Sequence, residues 1–287
     1  MLPQVLVFSA KEISSTMTFF NISGKVAIIT GGASGLGFQY ARNLLEKGSK
    51  GVTLADVCEE KGIKSIDELN NKFGNNKAIF VKADVTNYEQ FERAFKETIT
   101  AFNQVDILIN NAGIMNDTVW RKEIDINING TVHGILLGLE KYITKYKSGP
   151  EGLIINIASV LGIMPVGFMP IYVGTKFAVH GMTLAWGVPA HYERTKVRVV
   201  GVCPGITRTP LIIELPNRTL GPDYEDLKQI EFVGEKQQSP EEVGPLVMEI
   251  IERAPTGTIW VVEGGAPPFQ YKMRDRYGPE ASEPSLE

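Results

Sequence analysis

Tyr172 and Lys176 stand four residues apart in Pro170-Ile171-Tyr172-Val173-Gly174-Thr175-Lys176. On a helix this interval puts both side chains on one face, one turn apart. A free phenol titrates near pH ~10, too high for a base near neutrality, and a neighbouring ammonium lowers it by roughly 1 to 3 units by favouring the phenolate. A tyrosine tuned in this way takes or returns the proton of an alcohol. Ser159 closes an apolar run upstream, where a hydroxyl can hold the substrate oxygen while Tyr172 moves the proton. Asn127, in Asp125-Ile126-Asn127-Ile128-Asn129-Gly130, falls inside a helical pattern, where an amide competes for backbone groups. Taken singly each residue is ordinary, a helix surface or a solvated amide. Only their combination points to chemistry.

A second set of residues has the pattern of a nucleotide site. Thr30-Gly31-Gly32-Ala33-Ser34-Gly35-Leu36-Gly37 follows an apolar run directly and opens a helical segment. Glycines there let the backbone approach a pyrophosphate, and free N–H groups meet its charge. Asp56-Val57 ends the next apolar run, where a carboxylate accepts hydrogen bonds from adenosine ribose hydroxyls. The same carboxylate repels a 2′-phosphate, and Ser34 adds no positive charge beside it, so the pattern favours NAD over NADP. Ala83-Asp84-Val85 and Asn110-Asn111-Ala112-Gly113 end two further runs. In an open parallel sheet, ligands lie beyond the carboxyl ends of the strands, so both motifs face one crevice. Asp84 there suits an adenine edge, and the small Ala112-Gly113 pair admits a ribose closely.

These residues need a scaffold, and the chain supplies a regular one. Short apolar runs alternate with segments at helical spacing, the pattern of a parallel sheet covered on both faces. Strands are expected at Lys25 to Thr30, Gly51 to Asp56, Lys77 to Ala83, Val105 to Asn110, Gly152 to Ala158, Val197 to Cys203 and Thr258 to Val262. Helices are expected near Leu36 to Lys47, Glu59 to Phe73, Asn87 to Phe102, Asp117 to Tyr146, Tyr172 to Glu193 and Pro240 to Arg253, with Pro189 bending or ending the fifth. The expected fold is α/β, a Rossmann-type doubly wound seven-stranded parallel sheet in a single domain over residues 23–265. Residues 1–22 form an N-terminal extension and 266–287 a C-terminal tail. The stretch Ile206 to Gln238, with Pro210, Pro216, Gly221 and Pro222, reads as a partly helical loop or lid.

Composition excludes several other classes. The 287 residues are 43% hydrophobic, enough for a full core, and carry a formal charge of −4, which argues against a nucleic-acid partner. No apolar run approaches the ~20 residues of a membrane span, and the start lacks the basic region of a signal peptide. Cys58 and Cys203 lie far apart with no ligand group nearby in sequence, which reads as free thiols in a reducing, cytoplasmic compartment. His133, His180 and His191 show no metal spacing, so no metal is expected.

With these motifs in hand the chain resembles the short-chain dehydrogenase/reductase family, from about Ser23 to Gly265. The resemblance rests on Thr30 to Gly37, Asn110 to Gly113, Asn127, Ser159, Tyr172 to Lys176 and Pro204-Gly205. It implies that Tyr172 is the acid/base and that Lys176 both tunes it and binds the nicotinamide ribose. It also implies that Ser159 polarises the substrate oxygen, that Asn127 anchors a water-mediated proton relay from Lys176, and that Ile206 and Thr207 contact the nicotinamide amide. A homodimer or homotetramer is implied too, packed through the Asp117 and Tyr172 helices.

Within the family, Gly162-Ile163-Met164-Pro165-Val166 followed by Pro170-Ile171-Tyr172 is most similar to NAD-dependent 15-hydroxyprostaglandin dehydrogenases and insect alcohol dehydrogenases. The prostaglandin enzymes carry a polar Gln just before the tyrosine segment, where this chain has Phe168 and Met169. Met115, Val166, Phe168, Met169, Leu211, Ile212 and Ile213 are the expected pocket walls. An apolar lining with a Ser-Tyr polar end suits a lipid-like alcohol or its ketone. Two other readings stand beside an NAD-dependent alcohol dehydrogenase: a dinucleotide-binding sensor or storage protein with little turnover, and a carbonyl reductase working with NADPH.

Overall fold

The computed structural model describes residues 19–213, 217–231 and 236–273. The remainder of the expected N-terminal extension and C-terminal tail, and Pro216 of the expected lid, lie outside the described residues. Seven parallel strands run β1 (Val26–Thr30), β2 (Gly51–Asp56), β3 (Ala78–Lys82), β4 (Ile107–Asn110), β5 (Gly152–Ile157), β6 (Val197–Pro204) and β7 (Thr258–Val262). An eighth, β8 (Phe269–Tyr271), pairs antiparallel to β7 with Trp260 opposite Gln270. The expected count of seven is therefore corrected to eight. A strand of three residues, half exposed and close to prolines, has too short an apolar run to register as periodicity.

The sheet order is β3-β2-β1-β4-β5-β6-β7-β8. The direction of winding reverses between β1 and β4, so a crevice opens beyond their carboxyl ends, at Thr30 and Asn110. β1, β4, β5 and β6 are buried along their whole length, as strands covered on both faces must be. One face packs on α1 (Gly35–Glu46) and α2 (Glu59–Phe73), with the late helix α11 (Pro240–Arg253), through Tyr40, Leu44, Leu69, Val247 and Ile251. The other packs on α3 (Tyr88–Phe102) and the helices after β4, through Phe91, Phe95, Ile135 and Leu139. Phe20 and Ile22 are buried in the first of these cores, and the Phe20 N–H donates to the Glu252 carbonyl at 2.9 Å. The folded domain thus begins before Ser23.

The single helix expected from Asp117 to Tyr146 is broken. A short 3₁₀ turn (Asp117–Val119) leads into α4 (Trp120–Ile124), a π turn (Asp125–Asn129), α5 (Gly130–Leu136), a second π turn (Leu137–Tyr142) and α6 (Ile143–Tyr146). Widened turns of this kind re-aim a side chain without ending the helix, and the first contains Asn127. The helix carrying Tyr172 is α7 (Pro170–Trp186); it ends at Gly187, and Pro189 opens a separate α8 (Pro189–Thr195). Short helices α9 (Pro210–Ile213) and α10 (Pro222–Glu231) give the expected lid region its helical content.

Candidate active site

The glycine turn is held against β4 by side chains. Thr30 Oγ1 accepts hydrogen bonds from the backbone N–H groups of Asn111 (2.9 Å) and Ala112 (3.0 Å). Asn111 Nδ2 donates in return to the carbonyls of Thr30 (2.9 Å) and Gly31 (3.2 Å). Gly31 sits at φ +60, and a Cβ on Gly37 would lie 2.3 Å from the Gly31 carbonyl oxygen, so this turn admits no side chain at either position. Ser34 precedes α1 without capping it through its side chain, which leaves first-turn N–H groups of a 12-residue helix beside the cleft.

That cleft has a volume of about 590 Å³. Gly31, Ser34, Gly35, Leu36, Asp56, Val57, Asp84, Val85, Asn111, Ala112, Gly113, Pro204, Gly205, Ile206 and Thr207 all line it, together with Ser159, Tyr172 and Lys176. Gly37 does not; it packs under the turn. Asp56 is both a turn cap and a wall: Oδ2 accepts from the Ala33 N–H (3.1 Å) and Oδ1 from the Cys58 N–H (3.0 Å). Asp84 Oδ1 accepts from the N–H (2.9 Å) and hydroxyl (2.8 Å) of Thr86. Close backbone, free helix N–H groups and a carboxylate at the far end fit a dinucleotide without a 2′-phosphate, the pyrophosphate on the glycine turn and the adenosine toward Asp56.

At the other end Tyr172 and Lys176 project from α7 and are nearly buried. Lys176 Nζ lies 5.6 Å from the centre of the Tyr172 ring and donates to the Ile157 carbonyl at 2.9 Å. Ser159 Oγ accepts from the Leu161 N–H at 3.1 Å and lies beside the Tyr172 phenol, whose charged form it favours. Burial pushes the phenol well above its ordinary value, and the Ser159 hydroxyl opposes this only in part. Burial also pushes the Lys176 ammonium down to about 8. Burial thus dominates the phenol in this arrangement, with the Ser159 hydroxyl opposing it.

Asn127 does not line the cleft. Its Oδ1 accepts from the Ile114 N–H (2.9 Å), and its Nδ2 donates to the Ile114 carbonyl (2.9 Å) and to Thr175 Oγ1 (3.0 Å). The amide therefore fastens the segment after β4 to α7. Gly113 lies between it and the lysine: a Cβ there would sit 3.1 Å from Asn127 Oδ1 and 3.6 Å from Lys176 Nζ.

Among the expected walls, Met115, Val166, Leu211 and Ile212 line the cleft, joined by Leu161 and Met164. Phe168 and Met169 do not; both are fully buried behind it against Met115 and Tyr172. Ile213 is 71% exposed and also lies outside the lining. The apolar character around Tyr172 is thus split between a lining and a supporting layer, which sequence spacing alone does not separate. Glu231 of α10 reaches the cleft and accepts from the N–H groups of Gly167 (2.8 Å) and Phe168 (3.2 Å), tying the lid helix to the loop before α7.

Asp117 and Glu123, which no motif singles out, are both fully buried near Tyr172. In the sequence they are a pair of acidic residues flanking Trp120 at the start of a helical segment. Such residues ordinarily read as a solvated first turn. Among the described residues, no three His, Cys, Asp or Glu side chains gather as a metal site, and no helix is long and apolar enough to cross a membrane.

The model of the short chain dehydrogenase family matches residues 25–219. The 15-hydroxyprostaglandin dehydrogenase [NAD(+)] of Bos taurus is 35% identical over 214 residues, covering 75% of this chain and 78% of that protein. Alcohol dehydrogenase 2 of Ceratitis capitata is 33% identical over 249 residues, covering 85% and 93%. Among solved structures, levodione reductase superposes with a TM-score of 0.72 at 25% identity, covering 85% of this chain and 97% of that one. A short chain dehydrogenase/reductase from Burkholderia phymatum in complex with NAD superposes with a TM-score of 0.69 at 26% identity, covering 82% and 89%. The glycine turn packed on Asn111, the Ser159, Tyr172 and Lys176 side chains gathered at one cleft, and these likenesses agree: the chain belongs to the short-chain dehydrogenase family.

Proposed function

We propose that the protein is an NAD-dependent alcohol dehydrogenase that oxidises a hydroxyl of an apolar or lipid-like alcohol to the carbonyl, reversibly. One observation carries this reading: Ser159, Tyr172 and Lys176 share one end of a cleft whose neighbouring wall is Met115, Leu161, Met164, Val166, Leu211 and Ile212. When bound, NAD supplies the hydride acceptor, and the protein supplies orientation and charge. Asp56 holds the adenosine ribose, the glycine turn and the start of α1 hold the pyrophosphate, and Lys176 holds the nicotinamide ribose. Ile206 and Thr207 meet the nicotinamide amide.

Ser159 fixes the substrate oxygen. Tyr172 removes its proton in oxidation and returns it in reduction, with the Ser159 hydroxyl beside the phenol favouring its charged form. A bound dinucleotide and substrate displace water from the cleft, so the charge on Lys176 acts on the phenol with little screening. Asn127 holds the Ile114 segment, and a water at its side could pass the proton on from Lys176.

The apolar wall favours a substrate with substantial hydrocarbon around its carbinol. A panel of prostaglandins, steroids, isoprenoid alcohols and short alcohols, assayed for NADH formation, tests this. Turnover confined to short polar alcohols, or a preference for NADPH, refutes it. We also propose a homodimer or homotetramer built on α5 and α7, whose Leu136 and Phe177 are exposed. Sedimentation that returns a monomer refutes that assembly. Free Cys58 and Cys203 accord with a cytoplasmic location.

A further inference from the structure

Two acidic side chains with no part in the reaction above lie buried at the start of the Tyr172 helix. α7 has no side-chain cap of its own, because Met169 at its N-cap offers no acceptor and its first turn contains no acidic residue. Asp117 supplies the cap from the segment after β4: Oδ2 accepts from the Ile171 N–H at 2.9 Å and Oδ1 from the N–H of Tyr172 itself at 3.1 Å. Glu123 stands beside it on α4. Its Oε1 accepts from the Asn116 N–H at 2.7 Å, while Oε2 is buried and meets no hydrogen-bond donor among the described residues. The group next to Glu123 is the Asp117 carboxyl, also fully buried. Two buried carboxylates in contact cannot both be ionised without a large penalty, and one shared proton removes it.

We propose that Glu123 is the neutral member of a proton-sharing pair, donating its Oε2 hydrogen to Asp117, and that the pair positions Tyr172 by holding the first turn of its helix. Neither side chain lines the cleft, so both are positioning residues. The inference rests on Tyr172 being the acid/base. Among the described residues, charged or titratable groups around the pair include Tyr172 and Lys176 on α7 and Arg218, whose carbonyl accepts from the Asp117 N–H at 2.9 Å; Cys203 on β6 and the Ser159 hydroxyl lie beyond them, next to the phenol and the lysine. Burial and Asp117 together hold the Glu123 carboxyl well above the usual carboxylate range. A charge on Glu123 raises the phenol and favours a protonated Lys176. Its ionisation at alkaline pH therefore adds a second negative charge at the cap, repels Asp117 and disfavours the phenolate that alcohol oxidation needs.

The test uses the full chain and two readouts. Infrared difference spectra at neutral pH, taken without substrate, should show a protonated carboxylic-acid carbonyl band in the wild type that is absent in Glu123→Gln. In Glu123→Gln, which keeps an N–H donor toward Asp117, kcat at neutral pH should stay within about threefold of wild type, and its alkaline decline should move to higher pH. Glu123→Leu, which removes both hydrogen bonds, should lose about tenfold in kcat with the KM for NAD unchanged. Identical infrared spectra for wild type and Glu123→Gln, or superimposable kcat–pH curves, overturn the proposal. The infrared arm needs no turnover. A band without activity would therefore indict the functional reading, and activity without a band would indict the shared proton.

Discussion

The amide of Asn127 makes a two-bond ring with the backbone of Ile114, accepting from its N–H and donating to its carbonyl at 2.9 Å each. A side chain in a widened helical turn thus takes the place of a strand partner for the segment that leaves β4. Asn127→Leu keeps the approximate volume and orphans both backbone groups, a loss of about 1–3 kcal/mol for each one left buried. Thermal unfolding should show a clearly lowered Tm together with reduced turnover. An unchanged Tm would show that water replaces the amide.

Tyr172→Phe retains the ring packed on Met115 and Met169 and removes the hydroxyl beside Ser159. Loss of general acid/base catalysis is expected to lower kcat by about 10²–10⁴-fold. NADH binding, followed by fluorescence, should persist. Activity retained in this variant would defeat the role assigned to Tyr172.

Asp56 combines a charge with two backbone contacts, so two substitutions separate its functions. Asp56→Ala should weaken NADH binding and also loosen the turns that begin at Ala33 and Cys58. Asp56→Asn keeps an amide oxygen as acceptor and loses the charge. Both should relax the bias against NADPH, measured as the ratio of the two Kd values, and an unchanged ratio would remove Asp56 from cofactor selection.

Lys176 gives a pH dependence with a defined sign. Its folded value, about 8, is below the 10.5 of a free lysine, so between these limits the unfolded chain binds more protons and stability rises with pH. Below about 8 the buried ammonium is a constant burden. Lys176→Met should therefore unfold at a higher Tm than wild type near neutrality, an advantage that fades by about 1.4 kcal/mol per pH unit at most as pH climbs through the window. Loss of the bond to the Ile157 carbonyl partly offsets the gain. A Tm difference independent of pH would contradict the assigned shift.

Gly37→Ala tests the packing of the glycine turn. The added methyl would lie 2.3 Å from the Gly31 carbonyl oxygen and 2.7 Å from Asn111 Nδ2, so the turn must move. Overpacking of this kind costs about 1–3 kcal/mol. NADH affinity should fall alongside Tm.

The alternation of strands and helices, the glycine turn after β1, and the tyrosine and lysine one turn apart on a helix are legible along the linear chain. These are local facts: periodicity, glycine at positions that admit no Cβ, and an interval of four residues depend only on near neighbours along the chain. Tertiary structure decided which apolar residues before Tyr172 face the cleft and which support it. It decided that β8 extends the sheet, that Asn127 fastens Ile114, and that a lone short strand could be stabilised by an edge already formed. It also decided the electrostatics. The four-residue interval of Tyr172 and Lys176 reveals their proximity, whereas their desolvation depends on everything packed around the pair. For the same reason Asp117 and Glu123 read as a solvated helix start in one dimension. Only the folded chain buries them together beneath the first turn of another helix.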